Sequence, residues 1–532
     1  MKKKGLVIGI IVLLVGISIM PLVSSLSVVN NNVNNFIEKE IQTTVSSTDD
    51  DIDWWPMFHH DLNRSGYSTS TGPETNNVLW AFQAEGKVDR SSPAVVDNKV
   101  FFGCDNINFY CLDSDTGEKI WHTLIGGGIE RSSPAFDNGK IFFGTNYQNR
   151  GIYCLNATNG EIIWRYQTPP PQGGTIEASP AIYEGKVFIG APNPEPGCMY
   201  CLDADTGEEI WISQSIDHPG SAAVYNGRVY FGAEDFNVYC LDADNGSVIW
   251  KYKTGGENIP CIHVTIYDNK LYVGGKDGLY CLNIEDGSLI WKYPTGLIYT
   301  TPCCANGNVY FIRFNGSVYC VDANSGEKIW DLKIYSYAWY SSPAYADGKI
   351  YFGSVGGMIY CVDADSGEKI WDFNPVSGVW CSPAIADGKV YIGCRSGEFL
   401  CFDGESDNNP PQTPDKINGP TSCKLDVEYT YHTSTYDPDG DQLYYKWDWE
   451  DGGTDWLGPF NSNETVEINI TFYYNTIYTL RVIVKDSNHA RSDWTELEVR
   501  VPRYKTIPSS LISRFLEQFP NSFPMIRQLL GL

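Results

Sequence analysis

Basic residues are scarce in this chain. Its 532 residues carry 38 Lys plus Arg against 65 Asp plus Glu, a formal net charge of −27. A main partnership with nucleic acid is therefore excluded, because neutralising phosphates needs a basic footprint. Charged residues are only 19% while aromatic residues reach 14%, which excludes a disordered chain. The chain is on average too polar for a multi-span membrane protein. Sixteen cysteines over this length are too few for a small disulfide-stapled scaffold. No CxxC…CxxC or Cys/His zinc spacing occurs; Cys198 and Cys201 form one isolated pair. GxSxG, HExxH and glycine-rich phosphate loops are missing as well. What is abundant, Gly 51, Tyr 34 and Trp 16, favours sheet and turn over long helix.

The N-terminal residues read as an export signal. Lys2, Lys3 and Lys4 precede an uncharged apolar run from Gly5 to Met20, then Pro21 and the small residues Ser24 and Ser25. Residues 1–29 are expected to be a cleaved signal peptide or an uncleaved membrane anchor; in either case the rest is translocated. Residues 30–53 form a polar tether. At the other end, residues 504–532 have an amphipathic pattern broken by Pro520 and Pro524, which suits a docking tail or a short packed helix but not a membrane span.

Between residues 80 and 403 one phrase recurs, as in FYCLDSDTGEKIW (Phe109–Trp121) and IYCVDADSGEKIW (Ile359–Trp371). Its tryptophans, Trp80, Trp121, Trp164, Trp211, Trp250, Trp291, Trp330 and Trp371, hold half of all the tryptophan at spacings of 41, 43, 47, 39, 41, 39 and 41. A period near 40 signals stacked supersecondary units. Each unit contains four strand-like runs with turn residues between them (SPAVV, KVFFG, FYCLD and KIWHTL in the first). Four antiparallel strands per unit describe a propeller blade. The last unit lacks a Trp strand, while the Trp strand around Val78–Phe82 has no YCLD strand before it. An N-terminal strand completing the final blade would close an eight-bladed ring and remove its exposed edges. An open solenoid is the competing architecture.

The D-A-D-T-G-E-x-I-W turn resembles that of the pyrroloquinoline-quinone (PQQ)-like repeat propellers over about 330 residues. WPMFHHDLNRSGYS (Trp55–Ser68) resembles the segment preceding the first blade in exported members. The resemblance implies the propeller fold and leaves the activity open, since the family includes quinone-dependent dehydrogenases, non-catalytic outer-membrane assembly scaffolds and sensor ectodomains. Residues 54–407 are assigned to the propeller with its lead-in, and 408–420 to a proline-rich linker. Residues 421–503 alternate with period two and form a β-sandwich. YDPDGDQLYYKWDWEDGG (Tyr436–Gly453) resembles the PKD domain, an immunoglobulin-like surface module. The fold class is thus all-β.

Chemistry has few places to sit. The DADTGE turns offer too few oxygens for calcium, which takes six to eight, and read as hairpin turns. Asp437, Asp439 and Asp441 alternate in one loop and are the better cation candidates. One cysteine per blade forms a column expected to be small and apolar. Cys104–Cys111 and Cys394–Cys401 stand seven residues apart across a hairpin; counting from the turn makes each pair diagonal neighbours on one sheet face, and both are candidate disulfides in an exported protein. By the resemblance, a quinoprotein dehydrogenase needs an axial cofactor, calcium, an Asp base and often two adjacent cysteines near the ring. Cys303 and Cys304 are adjacent, but on a strand their side chains point to opposite faces, and active-site insertions are missing.

Departure from the repeat is a better guide. Columns just ahead of the innermost strands vary from blade to blade and should ring one mouth of the channel. They supply Arg90, Arg131 and Glu177 on one arc and Tyr299, Trp339, Tyr340 and Trp380 on the opposite arc, with His218 between. His263 stands where seven blades have Ser or Thr. The expected function is an exported, non-catalytic cell-surface propeller that binds a surface protein or glycan. The alternatives are a PQQ- and calcium-dependent quinoprotein dehydrogenase and a structural cell-envelope component. No cofactor is expected, PQQ included; calcium is the one ion the loops could take. The chain should be a monomer, touching membrane only through an uncleaved N-terminal segment.

Overall fold

The computed structural model describes residues 52–146, 150–168, 176–192, 197–255, 263–334, 336–403, 408–449 and 452–502, with Arg514 and Gln518. The signal or anchor, nearly all of the tether, and the tail expected over 504–532 lie outside the described residues apart from those last two. Every named element is a strand. Among the described residues no helix is long and apolar enough to cross a membrane.

Residues 78–402 form eight four-stranded sheets, one of which gains a fifth strand from Tyr67–Ser68. Their innermost strands, from Ala94–Val96 round to Ala384–Ala386, each touch the next, and the last touches the first. The circle is a β-propeller. It is closed out of chain order by backbone hydrogen bonds: Val78–Gln83 runs antiparallel to Glu398–Phe402, with Trp80 opposite Cys401. The strand lacking at the end of the repeat array thus comes from its beginning.

The repeated residues explain one another. In every sheet the Trp of the outermost strand faces the column Cys of its neighbour, as Trp164 faces Cys154 and Trp330 faces Cys320. Its indole N–H reaches into the next sheet, donating to the turn carbonyl of Ala204 (from Trp164, 3.1 Å) or Ala364 (from Trp330, 2.9 Å). In that turn the first Asp accepts its own backbone amides: Asp203 Oδ1 takes those of Asp205 (3.0 Å) and Thr206 (2.8 Å). At Asp115, Asp205 and Asp244 the second Asp pairs with a lysine of the preceding sheet, as Asp115 does with Lys389 at 3.1 Å. The turn glycine has positive φ and lies flat on the indole; a Cβ on Gly207 would stand 2.6 Å from the Trp164 ring. D-x-D-x-G-E-x-I-W is therefore a packing device between sheets. Trp371 has no such turn ahead of it and donates instead to Pro73 O at 3.1 Å, in the connection leading to the closing strand.

The column cysteines are buried and unoxidised, and so are Cys104 and Cys394. The expected Cys104–Cys111 and Cys394–Cys401 disulfides are not formed. Cys111 pairs with Phe101 while Cys104 continues the register opposite Asn108. Direct partners in these hairpins are an even number of residues apart, so two cysteines seven apart fall on opposite faces. The shared face that the spacing suggested does not exist. Cys104 Sγ points to the Gly86 carbonyl at 3.0 Å.

The lead-in fills the channel. Residues 55–70 run around the inside of the ring and give the free edges of the inner strands their partners. Trp55 exchanges both backbone hydrogen bonds with Val95 (2.9 and 2.8 Å), and the carbonyls of Pro56, Leu62, Asn63, Ser65 and Gly66 accept the amides of Phe136, Val224, Ile266, Cys304 and Tyr345. Arg64 is 1% exposed. It donates to the carbonyls of Phe58 (2.6 Å), Pro180 (2.8 Å) and Ala222 (2.9 Å). Ser70 Oγ accepts the amide of Gly388 in the eighth sheet. His60 ties this segment to its own start through Asp53 (3.0 Å), with Asp61 3.8 Å away. Burial disfavours its charge, yet these carboxylates hold its pKa up at about 9.

Residues beyond 408 form two further sheets around one core that includes Tyr431, Trp447 and Leu480. This region is anchored to the ring by Arg491. Its guanidinium pairs with Glu398 of the closing sheet (2.5 Å, side chains 2% and 8% exposed), donates to Asn374 O (2.8 Å) and lies over the rings of Phe373 and Trp456.

Two outcomes follow in unfolding experiments. Gly207→Ala is expected to cost about 1–3 kcal/mol by overpacking Trp164, and Trp164→Ala about 3–5 kcal/mol, both read from denaturant midpoints. The raised pKa of His60 means that its contribution is complete below pH 6.5, the unfolded value, and is lost as pH rises through about 9. Thermal stability should therefore fall over that window, and His60→Gln should flatten the fall.

Candidate functional site

The site is built on the step into each inner strand. There a Ser or Thr hydroxyl accepts the backbone amide of the equivalent residue in the preceding sheet. Ser92 donates to Ser133 (2.9 Å), Ser133 to Ser179 (2.9 Å) and Ser179 to Ser221 (2.8 Å). On the far side Thr301 donates to Ser342 (2.9 Å), Ser342 to Ser382 (2.9 Å) and Ser382 to Ser92 (3.0 Å). This girdle holds the inner strands at one height, and it is interrupted at His263. No hydrogen bond bridges Ser221 to His263 or His263 to Thr301 among the described contacts. Both Thr301 Oγ1 and His263 Nδ1 are buried without a partner.

Immediately above the girdle, residues of the step form a cup of about 270 Å³. Six of the nine residues expected at the mouth line it: Arg90, Arg131, Glu177, His218, His263 and Tyr340. The other three stand beside it. Tyr340 touches Trp380 (ring centroids 5.4 Å), Trp339 (6.1 Å) and Tyr299 (6.4 Å), and Phe314 stacks on Trp339 at 4.8 Å. The two arcs are not opposed, as the sequence suggested; they meet. The Arg90 guanidinium sits 3.5 Å above Tyr340 and 5.2 Å from Trp380, whose other neighbour is Arg395 at 3.8 Å. Ring closure makes the first and last sheets neighbours, and Arg90 falls against Tyr340 and Trp380, far along the chain.

Charge in the cup is mixed. Arg131 pairs with Glu177. Burial lowers the pKa of Arg90 and Arg131, and burial with the charges of Asp89 and Asp105 raises that of Glu130. His263 is pushed down to about 4 by burial and then by His59 and Arg64, so it is neutral at ordinary pH. Arg90 Nε, Trp339 Nε1 and Trp380 Nε1 are buried donors without acceptors.

Sequence reading missed two features of the cup. Its floor includes Phe58, 5.6 Å from His263 between centroids, contributed by the lead-in, whose position no repeat could indicate. One wall carries Asp217, His218 and Glu234, whose ligand atoms lie within 4.8 Å of one another. His218 Nδ1 already bonds Asp217 at 2.9 Å, and two carboxylates with one imidazole fall short of a calcium set. The three carboxylates expected to share a cation do not converge. Asp437 accepts backbone amides of its own loop, Asp439 faces Asn409, and Asp441 faces Asn488.

The needs of an axial quinone cofactor can be compared with these residues. The axis beneath the cup is filled by residues 55–70, with Arg64 satisfied by backbone carbonyls. Cys303 and Cys304 are buried in different interfaces; Cys303 Sγ faces Gly66 O at 3.3 Å, and neither lines the cup. The residues present do not fit that group.

The family described as "Outer membrane protein assembly factor BamB" matches residues 65–195 and 194–373. No curated protein matches the chain. Among solved structures, a europium-containing methanol dehydrogenase is similar at a TM-score of 0.57 and 15% identity, over 64% of this chain and 90% of that one. BamB from Moraxella catarrhalis is similar at 0.53 and 15%, over 62% and 98%. The computationally designed Ika8 protein is similar at 0.53 and 18%, over 62% and 100%. At these identities the likeness is one of fold.

Replacing His263 by Ser should restore the girdle and give Thr301 Oγ1 a partner. The expected gain is about 1 kcal/mol in unfolding free energy, and a variant less stable than the parent would show that His263 is itself a packing residue.

Proposed function

The chain belongs to the family described as outer membrane protein assembly factor BamB, and from that membership and the geometry of the cup we propose that it is an exported, non-catalytic binding propeller. Its eight sheets are read as eight blades, and its ligand as a surface protein or glycan seated on the mouth. The region beyond the proline-rich linker is read as a PKD-like, immunoglobulin-like accessory module. Export rests on the N-terminal residues Lys2 to Ser25.

The observation that carries this reading is the interruption at His263. Seven sheets obey a packing rule whose breach strands two buried polar atoms, and the breach falls at the wall of the cup, beside Phe58. Local rules broken at a cost are characteristic of functional positions. The wall itself supports a ligand with acceptor groups and a flat or apolar face. Arg90 offers a guanidinium held over Tyr340, and Trp339, Tyr340 and Trp380 offer ring surface. Likeness to dehydrogenases extends to the fold, and the plugged axis does not support their cofactor.

Capture from native envelope extract on the immobilised chain is the direct test. Tyr340→Ala and Trp380→Ala are each expected to weaken retention of the bound partner by roughly tenfold or more, the effect of a hot-spot residue. Retention unchanged in both rejects the mouth. Uptake of PQQ with calcium, followed by dye reduction with an alcohol, would reverse the non-catalytic reading.

A further inference from the structure

One backbone hydrogen bond recurs around the mouth and sets two residues side by side. The turn between the second and third strands of a sheet donates an amide to a carbonyl of the step. Asp105 donates to Lys87 (3.0 Å), Asn146 to Gly128 (2.8 Å), Phe314 to Leu297 (2.8 Å), Val355 to Tyr337 (2.8 Å) and Arg395 to Gly378 (3.0 Å). None of these pairs sets like charges together. In the fourth sheet Glu234 donates to Asp217 (2.9 Å), so the same bond places two carboxylates next to one another. His218 reaches both: its Nδ1 lies 2.9 Å from Asp217 Oδ1 and 3.7 Å from Glu234 Oε2. One ligand atom from each of the three residues falls within 4.8 Å of the others. Among the described residues neither carboxylate pairs with a lysine or arginine. Like charges so placed repel unless a cation joins them. A second observation concerns the same cup. His218 and Glu234 line it together with His263, whose Nδ1 is buried without a partner.

We propose that Asp217, His218 and Glu234 form a zinc-class metal site in the wall of the cup, with a remaining coordination position open to the cup. Zinc takes imidazole nitrogen and carboxylate oxygen at about 2.0–2.2 Å, which puts neighbouring ligand atoms of a tetrahedron about 3.3 Å apart. The 2.9 and 3.7 Å separations around His218 Nδ1 lie on either side of that spacing. The imidazole favours a transition-metal ion over calcium, which asks for six to eight oxygens. Three protein ligands leave a fourth position, the arrangement of exchangeable zinc sites and not of closed structural ones. Water or a metal-binding oxygen of an incoming molecule takes that position, and His263 Nδ1 offers the occupant of the cup a further hydrogen bond. All three ligands belong to the step and turn of one sheet, so the site needs no axial cofactor. That the open position serves the ligand of the cup rests on the reading of the mouth as a binding face; the metal site itself does not.

The full chain, without a histidine tag and stripped with chelator, is titrated with zinc chloride by calorimetry. Its cobalt-loaded form is followed by visible absorption while acetohydroxamate is added. One zinc site is expected, and acetohydroxamate should change the cobalt spectrum, as an open position requires. Glu234→Gln keeps the size of the side chain, and His218→Asn tolerates the left-handed backbone at that residue (φ of 40°). Each should weaken zinc binding by roughly tenfold or more, since even the outer partners of metal ligands cost that much. Asp105→Asn, at the same turn position in the first sheet, should bind like the parent. Absence of zinc binding, binding unchanged in Glu234→Gln and His218→Asn alike, or binding lost equally in Asp105→Asn would overturn the site; the first would mean that an imidazolium alone bridges the two carboxylates. A cobalt spectrum indifferent to acetohydroxamate would overturn the open position. Partner retention in Tyr340→Ala and Trp380→Ala tests the mouth, while the zinc titration tests the metal site, so either can fail without the other.

Discussion

Everything in this molecule is arranged around the pairing of Val78–Gln83 with Glu398–Phe402. Repeat arrays that bury their faces only against neighbours leave two raw ends, and here each end is the partner of the other. Closure brings Trp80 onto Cys401 and its indole onto Ser114 O, so the eighth interface is built with the same parts as the other seven. It also sets Arg90 beside Tyr340 and Trp380. The most distinctive contact of the mouth is therefore a by-product of circularity, made by residues that share neither a blade nor a neighbourhood in the chain.

The lead-in solves the problem that closure leaves behind. A ring of short inner strands presents its backbone edges to the channel, and these need partners or water. Residues 55–70 supply the partners, turning tightly through left-handed conformations at His59, His60, Arg64 and Gly66. Arg64 is buried at the axis and satisfied by carbonyls from two different sheets as well as its own segment. The consequence is a channel with a floor. One mouth becomes a cup, and a passage becomes a surface on which something can sit. The same filling removes the axial space that a catalytic cofactor of the dehydrogenase type would need.

Where the structure departs from its own rules it also carries unsatisfied polarity. The girdle fails at His263 beside the cup, and Asp437 Oδ2 is buried without a partner in the C-terminal region. One lies at the proposed ligand face. The other accepts two amides of its own loop through Oδ1 while Oδ2 goes unpartnered. Orphaned buried groups are expensive, and both places differ in this from the packing columns, in which every indole finds its partner.

Much of the fold was legible from the chain. The tryptophan period gave the number of units, the missing strand at one end and the spare strand at the other indicated closure, and the columns ahead of SPA located six of the residues that line the cup. These features repeat, and repetition converts a local pattern into a statement about symmetry. The disulfide expectation failed because it depended on face parity within a hairpin, which one residue of offset reverses. The arcs were set opposite rather than adjoining because aligned columns carry order but not proximity. Phe58 and the whole plug escaped notice because the lead-in occurs once and has no period. Local chemistry that recurs, turn by turn and strand by strand, was determined by the sequence alone. What fills the axis, which arcs touch and which charges are buried together were decided by tertiary structure, because each depends on a distance between segments that no spacing along the chain encodes.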